Sequence, residues 1–374
     1  MMKLDEAQLA LLETPCMVID VEQAQKNILK MQKIADKYGC RLRPHIKTHK
    51  MPLFAHKQIS AGAGGITCAK VSEAEVMAEG GIDDIFIAYP LVGDFRIQRA
   101  IKLSGKVSRL ILAVDSLEGA KTLNRAAQEA NVVLEVRLEI DTGLKRTGVA
   151  GDNAAALAVA VSKMRHLKLT GIYTFKGLIY HNEPTMESRM AGVEEGLLMH
   201  EFFTQITKAG VPLEDVSAGS SPTGEEVAKT GLVNEIRPGT YIFNDYMLYK
   251  ENAAELNEIA VRFYATVVST PAPDYAVIDG GTKTFPTDVQ LNAPPAFYPG
   301  YAIVEGREDL RLSRMNEEHG IITGMSGKTG LSVGEKIALI PIHVCTAINM
   351  QNSVYLLENG SLAGQKVEAR GMLV

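Results

Sequence analysis

Basic and apolar residues alternate along the short segment Arg41–Lys47. If this segment is a strand, Arg43, His45 and Lys47 share one face. Such a row suits a polar pocket, where a lysine shielded from water can form a Schiff base with an aldehyde. Lys50 is the alternative amine, although it follows the strand and is better placed for solvent. The segment alone is equally consistent with a solvated edge strand that carries surface lysines.

A second group of residues could bind an anion. Residues 218–224 read Ala-Gly-Ser-Ser-Pro-Thr-Gly, between a predicted strand at Val216 and a short helix pattern. Small residues let the backbone approach a phosphate, which amides at a helix start and serine hydroxyls can then bind. Arg-Pro-Gly-Thr follows at residues 237–240. Both segments are also ordinary loop and turn compositions, so neither alone predicts a phosphate site.

The third group could bind a metal ion. In the predicted strand that contains Ile342-His-Val-Cys-Thr346, His343 and Cys345 share a face. An imidazole and a thiolate placed in this way can hold one divalent ion, above all Zn²⁺. Two ligands cannot close a structural site, so water or substrate would complete the shell, as in a catalytic site. A buried cysteine near an ordinary histidine is the alternative.

The elements that must position these residues alternate between strands and helices from residue 15 to about 245. This rhythm predicts an α/β fold with a parallel sheet, and specifically a (β/α)₈ TIM barrel with one additional strand. A doubly wound open sheet is the main alternative, but no Gly-x-Gly-x-x-Gly opens a helix early in the chain. The candidate strands are Cys16–Asp20, Arg41–Lys47, Gly65–Ala69, Asp84–Ala88, Arg109–Val114, Val132–Ile140, Leu167–Thr174, Val216–Gly219 and Asn234–Phe243.

A second domain follows the barrel. After about residue 255 the strand patterns lack long helices between them, and prolines punctuate the loops. We therefore predict a barrel over residues 14–255 and a C-terminal all-β domain over residues 256–374, which residues 1–13 can join. Lys47 would lie at the carboxyl end of a barrel strand, where active sites form, and residues 218–224 and 237–240 occupy the usual phosphate-binding loops.

Composition limits the classes of function. The chain has 374 residues, 46% of them hydrophobic and 22% charged, as in ordinary globular proteins. A net charge of -5 argues against nucleic acid as the main partner. The N-terminus lacks the pattern of a signal peptide, and no apolar run approaches the roughly 20 residues that cross a bilayer. The 4 cysteines are too scattered for a disulfide framework, which favours a reduced, cytoplasmic location away from membranes.

Together these segments resemble the D-threonine aldolase and D-serine dehydratase family, which shares the alanine-racemase-like fold. The resemblance extends from Thr14-Pro15 to Cys345, and its most specific parts are the lysine motif and the His-x-Cys motif. The Asp-Thr-Gly and Arg-Pro-Gly motifs are shared with amino-acid racemases. The motifs are Pro44-His-Ile-Lys-Thr-His-Lys50, Asp141-Thr-Gly-Leu-Lys-Arg-Thr-Gly148, Gly219-Ser-Ser-Pro-Thr223, Arg237-Pro-Gly-Thr-Tyr241, Glu317-Glu-His-Gly320 and His343-Val-Cys345.

The resemblance implies a pyridoxal 5'-phosphate-dependent enzyme, usually a homodimer, that acts on a small D-amino acid. Lys47 matches the Schiff-base lysine, and His343 and Cys345 match the metal ligands. His319 and His181 are candidates for catalytic roles, His319 because its loop reaches the active site. The remaining cofactor contacts implied are Arg146 near the ring's phenolic oxygen, Tyr173 and Tyr180 lining the cofactor, and Gly219, Ser220, Ser221, Gly239 and Thr240 at the phosphate.

The expected chemistry is that of a metal-assisted lyase on β-hydroxy D-amino acids, either a dehydratase or an aldolase. Cys345 is more similar to the dehydratases, since aldolases often carry aspartate there. Tyr180-His-Asn-Glu183 departs from the aldolases' Tyr-x-Gly-His pattern, which puts their base histidine in doubt. An amino-acid racemase is the alternative, although it needs no metal. A non-enzymatic pyridoxal-phosphate carrier fits less well, because such carriers resemble a single barrel without a β domain.

Overall fold

A computed structural model describes residues 2, 4–151 and 153–374. Met1, Lys3 and Asp152, which fall within the predicted ranges 1–13 and 14–255, lie outside the described residues. In chain order, the strands are β1 (Cys16–Asp20), β2 (Arg41–Leu42), β3 (Ile66–Cys68), β4 (Asp84–Pro90), β5 (Arg109–Val114), β6 (Leu134–Glu139), β7 (Leu167–Tyr173), β8 (Ile179–Tyr180), β9 (Glu183–Pro184), β10 (Asp215–Ala218), β11 (Glu235–Ile236), β12 (Val261–Ala272), β13 (Tyr275–Ile278), β14 (Ala302–Val304), β15 (Arg307–Met315), β16 (Gly320–Gly324), β17 (Lys336–Pro341), β18 (Ser353–Glu358) and β19 (Ser361–Lys366).

Helices separate most of the earlier strands, and short 3₁₀ helices follow several of them. The α-helices are α1 (Glu6–Leu11), α2 (Val21–Lys37), α3 (Pro52–Ser60), α4 (Val71–Glu79), α5 (Asp94–Ser104), α6 (Leu117–Glu129), α7 (Asn153–Ser162), α8 (Ser188–Lys208), α9 (Gly224–Lys229), α10 (Tyr246–Lys250) and α11 (Val344–Met350). The 3₁₀ helices are η1 (Ile46–Thr48), η2 (Thr240–Ile242) and η3 (Leu256–Glu258).

One 8-stranded sheet is entirely parallel, in the order β2–β11–β10–β7–β6–β5–β4–β3. Its two ends meet, because the N–H of Thr67 in β3 donates to Pro44 O at 2.8 Å and Thr67 forms a bridge with His45 beyond β2. Strands such as β5 are apolar and almost wholly buried, as expected when helices cover a parallel sheet. The predicted (β/α)₈ barrel is therefore confirmed, and the additional strand β1 lies in another sheet.

The segment that contains Lys47 departs from a simple strand. Pairing continues past β2 as far as His45, whose N–H donates to Pro238 O at 2.9 Å, and the chain then turns into η1. The predicted strand Arg41–Lys47 is thus too long, and Lys47 lies in the helical turn after it. Lys50 also differs from the expectation, because it is only 5% exposed.

Arg43 belongs to a buried ion network inside the barrel. Its Nε donates to Glu235 at 2.9 Å, and another of its nitrogens binds Asp84. Arg137 donates to both Glu235 and Asp215, the latter at 2.6 Å. These partners begin strands β4, β10 and β11, so the network occupies the end of the barrel opposite the strands' carboxyl ends. Each arginine here satisfies two carboxylates, which offsets the cost of burying charge.

Arg137→Met should therefore destabilise the fold strongly. The substitution removes one positive charge and leaves Glu235 and Asp215 short of a partner in a buried site. We expect the free energy of unfolding to fall by about 3–5 kcal/mol, the usual penalty for breaking a buried pair, as measured by urea denaturation. Arg99→Met is the control, because its ion pair with Glu75 is partly exposed, lies outside the network and should contribute about 1 kcal/mol or less. Equal losses for the two variants would contradict this account.

The second large sheet has 9 strands in the order β13–β16–β15–β14–β17–β12–β1–β18–β19. All its pairings are antiparallel except that of β1 with β18. An additional pairing of β13 with β12 closes the strands β12, β13, β14, β15, β16 and β17 into an antiparallel barrel. The expected C-terminal all-β architecture is thus confirmed, although the strand predicted through His343 and Cys345 ends at Pro341 and is followed by the short helix α11.

The chain contains two compact units. One consists of Met1–Ile28, Thr48–Lys50 and Thr240–Gly371 and carries the 9-stranded sheet. The other consists of Leu29–Lys47, Met51–Gly239 and Met372–Val374 and carries the parallel barrel. The domain ranges 14–255 and 256–374 stay a prediction. In the described part of the chain, no helix has the length and apolar composition needed to span a bilayer.

Candidate active site

Lys47 lies beyond the carboxyl end of β2, where the chain enters η1. Its half-buried side chain places Nζ 5.3 Å from the centroid of the Phe175 ring. The guanidinium carbon of Arg146 lies 4.8 Å from the same centroid. Among the described residues, no carboxylate forms an ion pair with either cation. Two positive charges beside one aromatic ring suit an anionic ligand, and nothing in the sequence had marked Phe175.

Tyr173 ends β7 and is 1% exposed. Its ring packs edge-on against Phe86 at 4.9 Å, and the guanidinium of Arg237 lies 5.1 Å from its centroid. Burial, followed by the neighbouring Glu139, raises the pKa of Tyr173 well above its usual value, so the hydroxyl stays protonated. Tyr173 and Glu139 lie within hydrogen-bonding reach of each other, and this contact also favours the protonated hydroxyl.

Three of the predicted phosphate-binding residues, Gly219, Ser220 and Ser221, lie in the loop between β10 and α9, and Gly239 follows β11. Gly219 has φ +85°, and a Cβ there would meet Gly224 Cα at 3.0 Å and Ile236 Cγ2 at 3.3 Å. Only glycine fits this tight, left-handed turn. The Ser221 hydroxyl accepts a hydrogen bond from the N–H of Gly239 at 3.2 Å, which ties the two predicted segments together.

Glu195 of α8 supports this loop from a fully buried position. Its carboxylate accepts the N–H of Gly219 and the hydroxyl of Thr223, each at 3.0 Å. The N–H of Ser220 donates to Thr223 Oγ1 at 3.0 Å, so two of the loop's amides already have partners inside the protein. Burial raises the pKa of Glu195 above its usual value, although the two hydrogen bonds oppose that shift. Sequence patterns gave no signal for this residue beyond an acidic group on a helix.

Tyr180 and His181 lie on a small hairpin formed by β8 and β9. The two rings pack with centroids 3.9 Å apart. His181 and Asn182 form the turn, both with positive φ, and the His181 side chain is 73% exposed. His181 Nδ1 lies 3.2 Å from Glu194 Oε1, so its imidazole already has a carboxylate partner.

His343 and Cys345 lie at the start of α11 and not on a strand. His343 is the N-cap residue and Cys345 lies in the first turn, where the Cys345 thiol remains within hydrogen-bonding reach of the imidazole. Thr48 Oγ1 and Thr240 Oγ1 lie 3.1 and 3.4 Å from Cys345 Sγ. The two predicted ligands are thus neighbours, and Thr240, predicted at the phosphate, contacts the thiol. The prediction that His343 and Cys345 share a face of a strand is therefore wrong.

The surroundings of His343 fit a metal ligand. Its Nδ1 lies 2.6 Å from Asp288 Oδ2, a residue that no sequence motif had marked. Burial opposes the imidazolium charge, but Cys345 and Asp288 together raise the pKa of His343 well above its usual value, so a metal ion would have to displace one of the two ring protons. No cluster of three or more His, Cys, Asp or Glu suited to a metal occurs among the described residues. A two-ligand site would therefore need water or substrate to complete its shell, as an open catalytic site does.

His319 lies in the turn between β15 and β16 and is exposed. Its backbone oxygen accepts a hydrogen bond from the N–H of Asn316 at 2.9 Å, which closes the turn. The catalytic role suggested for His319 stays a prediction, as do the roles of the other residues of the site.

Comparisons with known proteins match both halves of the chain. Residues 19–247 match the family described as alanine racemase, N-terminal domain, and residues 260–357 match a serine dehydratase domain. D-threonine aldolase of Arthrobacter sp. is 28% identical over 97% of this chain and 94% of its own length. D-threo-3-hydroxyaspartate dehydratase of Delftia sp. (strain HT23) is 31% identical over 89% of this chain and 91% of its own length.

The solved structure of the Delftia sp. HT23 dehydratase superposes with a TM-score of 0.87 at 30% identity, covering 96% of this chain and 98% of that one. A parallel barrel with a lysine beyond the carboxyl end of one strand, together with a C-terminal antiparallel barrel, is typical of alanine-racemase-like proteins. Within that class, this chain belongs to the D-threonine aldolase and D-serine dehydratase family. The predictions of the family, the fold and a lyase are therefore confirmed.

Proposed function

We propose that this protein is a pyridoxal 5'-phosphate-dependent, metal-assisted lyase that acts on β-hydroxy D-amino acids. The observation that carries the proposal is the half-buried amine of Lys47, which lies beyond a barrel strand beside Phe175 and Arg146 with no carboxylate partner among the described residues. When bound, pyridoxal phosphate supplies an aldehyde for an amine and a ring that accepts the electron pair of a broken bond.

Different residues of the chain would bind pyridoxal phosphate and orient it. Lys47 would hold the cofactor covalently and, once released by substrate, could move a proton at Cα. Ser221 in the β10–α9 loop and Gly239 after β11 would bind the phosphate, with Glu195 fixing the loop. Arg146 would contact the phenolic oxygen. Positioning of this kind supplies much of the rate gain of an enzyme.

His343 and Cys345 would hold the metal, with Zn²⁺ the best match for one nitrogen and one sulfur ligand. The metal would polarise the β-hydroxyl of the substrate, a role that serves both dehydration and aldol cleavage. A cysteine-to-alanine mutant of D-threo-3-hydroxyaspartate dehydratase, whose structure superposes with a TM-score of 0.87 at 29% identity, was solved in the metal-free form. That mutant supports a cysteine ligand in this family. A homodimer, which rests on the family resemblance, and a cytoplasmic location, which rests on the few scattered cysteines, complete the proposal.

Product analysis tests the proposed reaction. The protein loaded with pyridoxal phosphate and Zn²⁺ is incubated with D-serine, D-threonine and D-3-hydroxyaspartate, and the products are separated. We expect keto acid with ammonia from a dehydratase, or glycine with aldehyde from an aldolase, and no reaction of the L-isomers. Formation of the L-isomer alone would make the protein a racemase, and absence of turnover would reject the lyase.

A further inference from the structure

We propose that Asp288 is a positioning residue of the metal site. By holding the proton of His343 on Nδ1, it leaves Nε2 as the nitrogen that binds the metal. This inference rests on the proposed function, because it assigns a role to a residue beside the proposed metal ligand. Asp288 lies in the loop between β13 and β14, far from the His-x-Cys motif in sequence.

The hydrogen bonds of Asp288 fix the imidazole relative to α11. Asp288 Oδ2 lies 2.6 Å from His343 Nδ1 and accepts a second hydrogen bond from the Thr346 hydroxyl at 2.8 Å. His343 is the N-cap of α11, and Thr346 lies in the same first turn as Cys345. One carboxylate oxygen of Asp288 therefore binds both the His343 ring and the first turn of α11, which carries the Cys345 thiol.

A hydrogen bond of this kind affects how well a histidine binds zinc. A histidine that binds a metal needs its other nitrogen protonated and hydrogen-bonded, since this fixes the tautomer and the ring orientation and raises the basicity of the ligating nitrogen. The Nδ1 of His343 is directed at Asp288, so Nε2 is the atom left for a metal. Asp288 is not itself grouped with His343 and Cys345 as a ligand cluster of the described residues. It would therefore act through the histidine.

Metal affinity, measured by chelator competition, tests the proposal. Asp288→Ala should weaken Zn²⁺ binding by about 10- to 100-fold, the usual effect of losing such a partner. Asp288→Asn should weaken it less, because its amide oxygen can accept the same hydrogen bond without the charge. The visible absorption of the Co²⁺-loaded protein should shift in both variants, since the ligand field at the metal changes. Asp274→Ala, an exposed residue of the same unit, is the control and should leave affinity and spectrum unchanged.

Two outcomes separate this inference from the function on which it rests. If His343→Ala loses the metal while Asp288→Ala binds it with unchanged affinity and spectrum, the positioning role is wrong and the metal site stands. If His343→Ala itself retains the metal, the metal assignment falls and the role of Asp288 falls with it. Circular dichroism and the cofactor spectrum of each variant confirm that the fold is intact.

Discussion

Lys47→Ala should abolish the absorbance band near the visible edge that pyridoxal phosphate gives when joined to a lysine. It should also reduce turnover by roughly 100- to 10,000-fold, the range lost when a positioned general base is removed. The reason is that Lys47 is the amine placed beyond the barrel strand, beside Phe175 and Arg146. Absorbance spectra and initial rates of the cofactor-loaded variant measure both effects.

Two further variants distinguish covalent attachment from mere charge. Lys47→Arg keeps a cation near Phe175 but cannot form the bond, so it should also lack the band. Lys50→Asn tests the alternative lysine, and asparagine tolerates the positive φ of +58° that Lys50 adopts. We expect Lys50→Asn to keep the band. A band that survives in Lys47→Ala and disappears in Lys50→Asn would reverse the assignment.

His343→Ala should lower Zn²⁺ content and β-hydroxyl chemistry together. The substitution removes one of two proposed protein ligands and leaves Cys345 with its two threonine neighbours. We expect the bound metal to fall to near background and kcat to fall by about 100-fold or more, because a metal that polarises an oxygen contributes several kcal/mol to the transition state. Metal analysis of the purified protein and product assays give the two values.

The matched control is His200→Ala, since His200 is an exposed histidine on α8 that stacks on Phe203. It should retain full metal content and activity. The cofactor band of His343→Ala should persist, because Lys47 is unaltered. Activity that survives prolonged chelation of the unaltered protein would show that the metal has no catalytic role.

The barrel could be predicted from sequence because each of its units leaves a local signal. The strand Arg109–Val114 was predicted at its observed bounds, since its apolar run is continuous and lies between helical patterns. Helix Pro52–Ser60 leaves a weaker signal, because its apolar residues follow no clear period. Strand Arg307–Met315 was missed because charged residues fill its exposed face.

The partners of the site residues could not be predicted, because they come from distant parts of the chain. Asp288 precedes His343 by 55 positions, and nothing in its own neighbourhood distinguishes it from other loop aspartates. Glu195 similarly meets Gly219 only through the packing of α8 against the barrel. The ion-pair partners of Arg43 could not be predicted for the same reason, since alternation predicts a shared face but does not predict which charges lie opposite.

The buried ion network of the barrel also limits how this chain can change over evolutionary time. Arg137 and Arg43 share Glu235, so the loss of one arginine leaves this buried carboxylate with only one of its two arginine partners. Replacement of the carboxylate at the same time would remove the imbalance, and burying apolar residues of similar volume in place of a complete charged set is often neutral or stabilising. The positions should therefore show strong epistasis. Viable descendants are expected to keep all the charged residues of the network or to replace all of them. Each single substitution is expected to lower fitness, because it destabilises the fold.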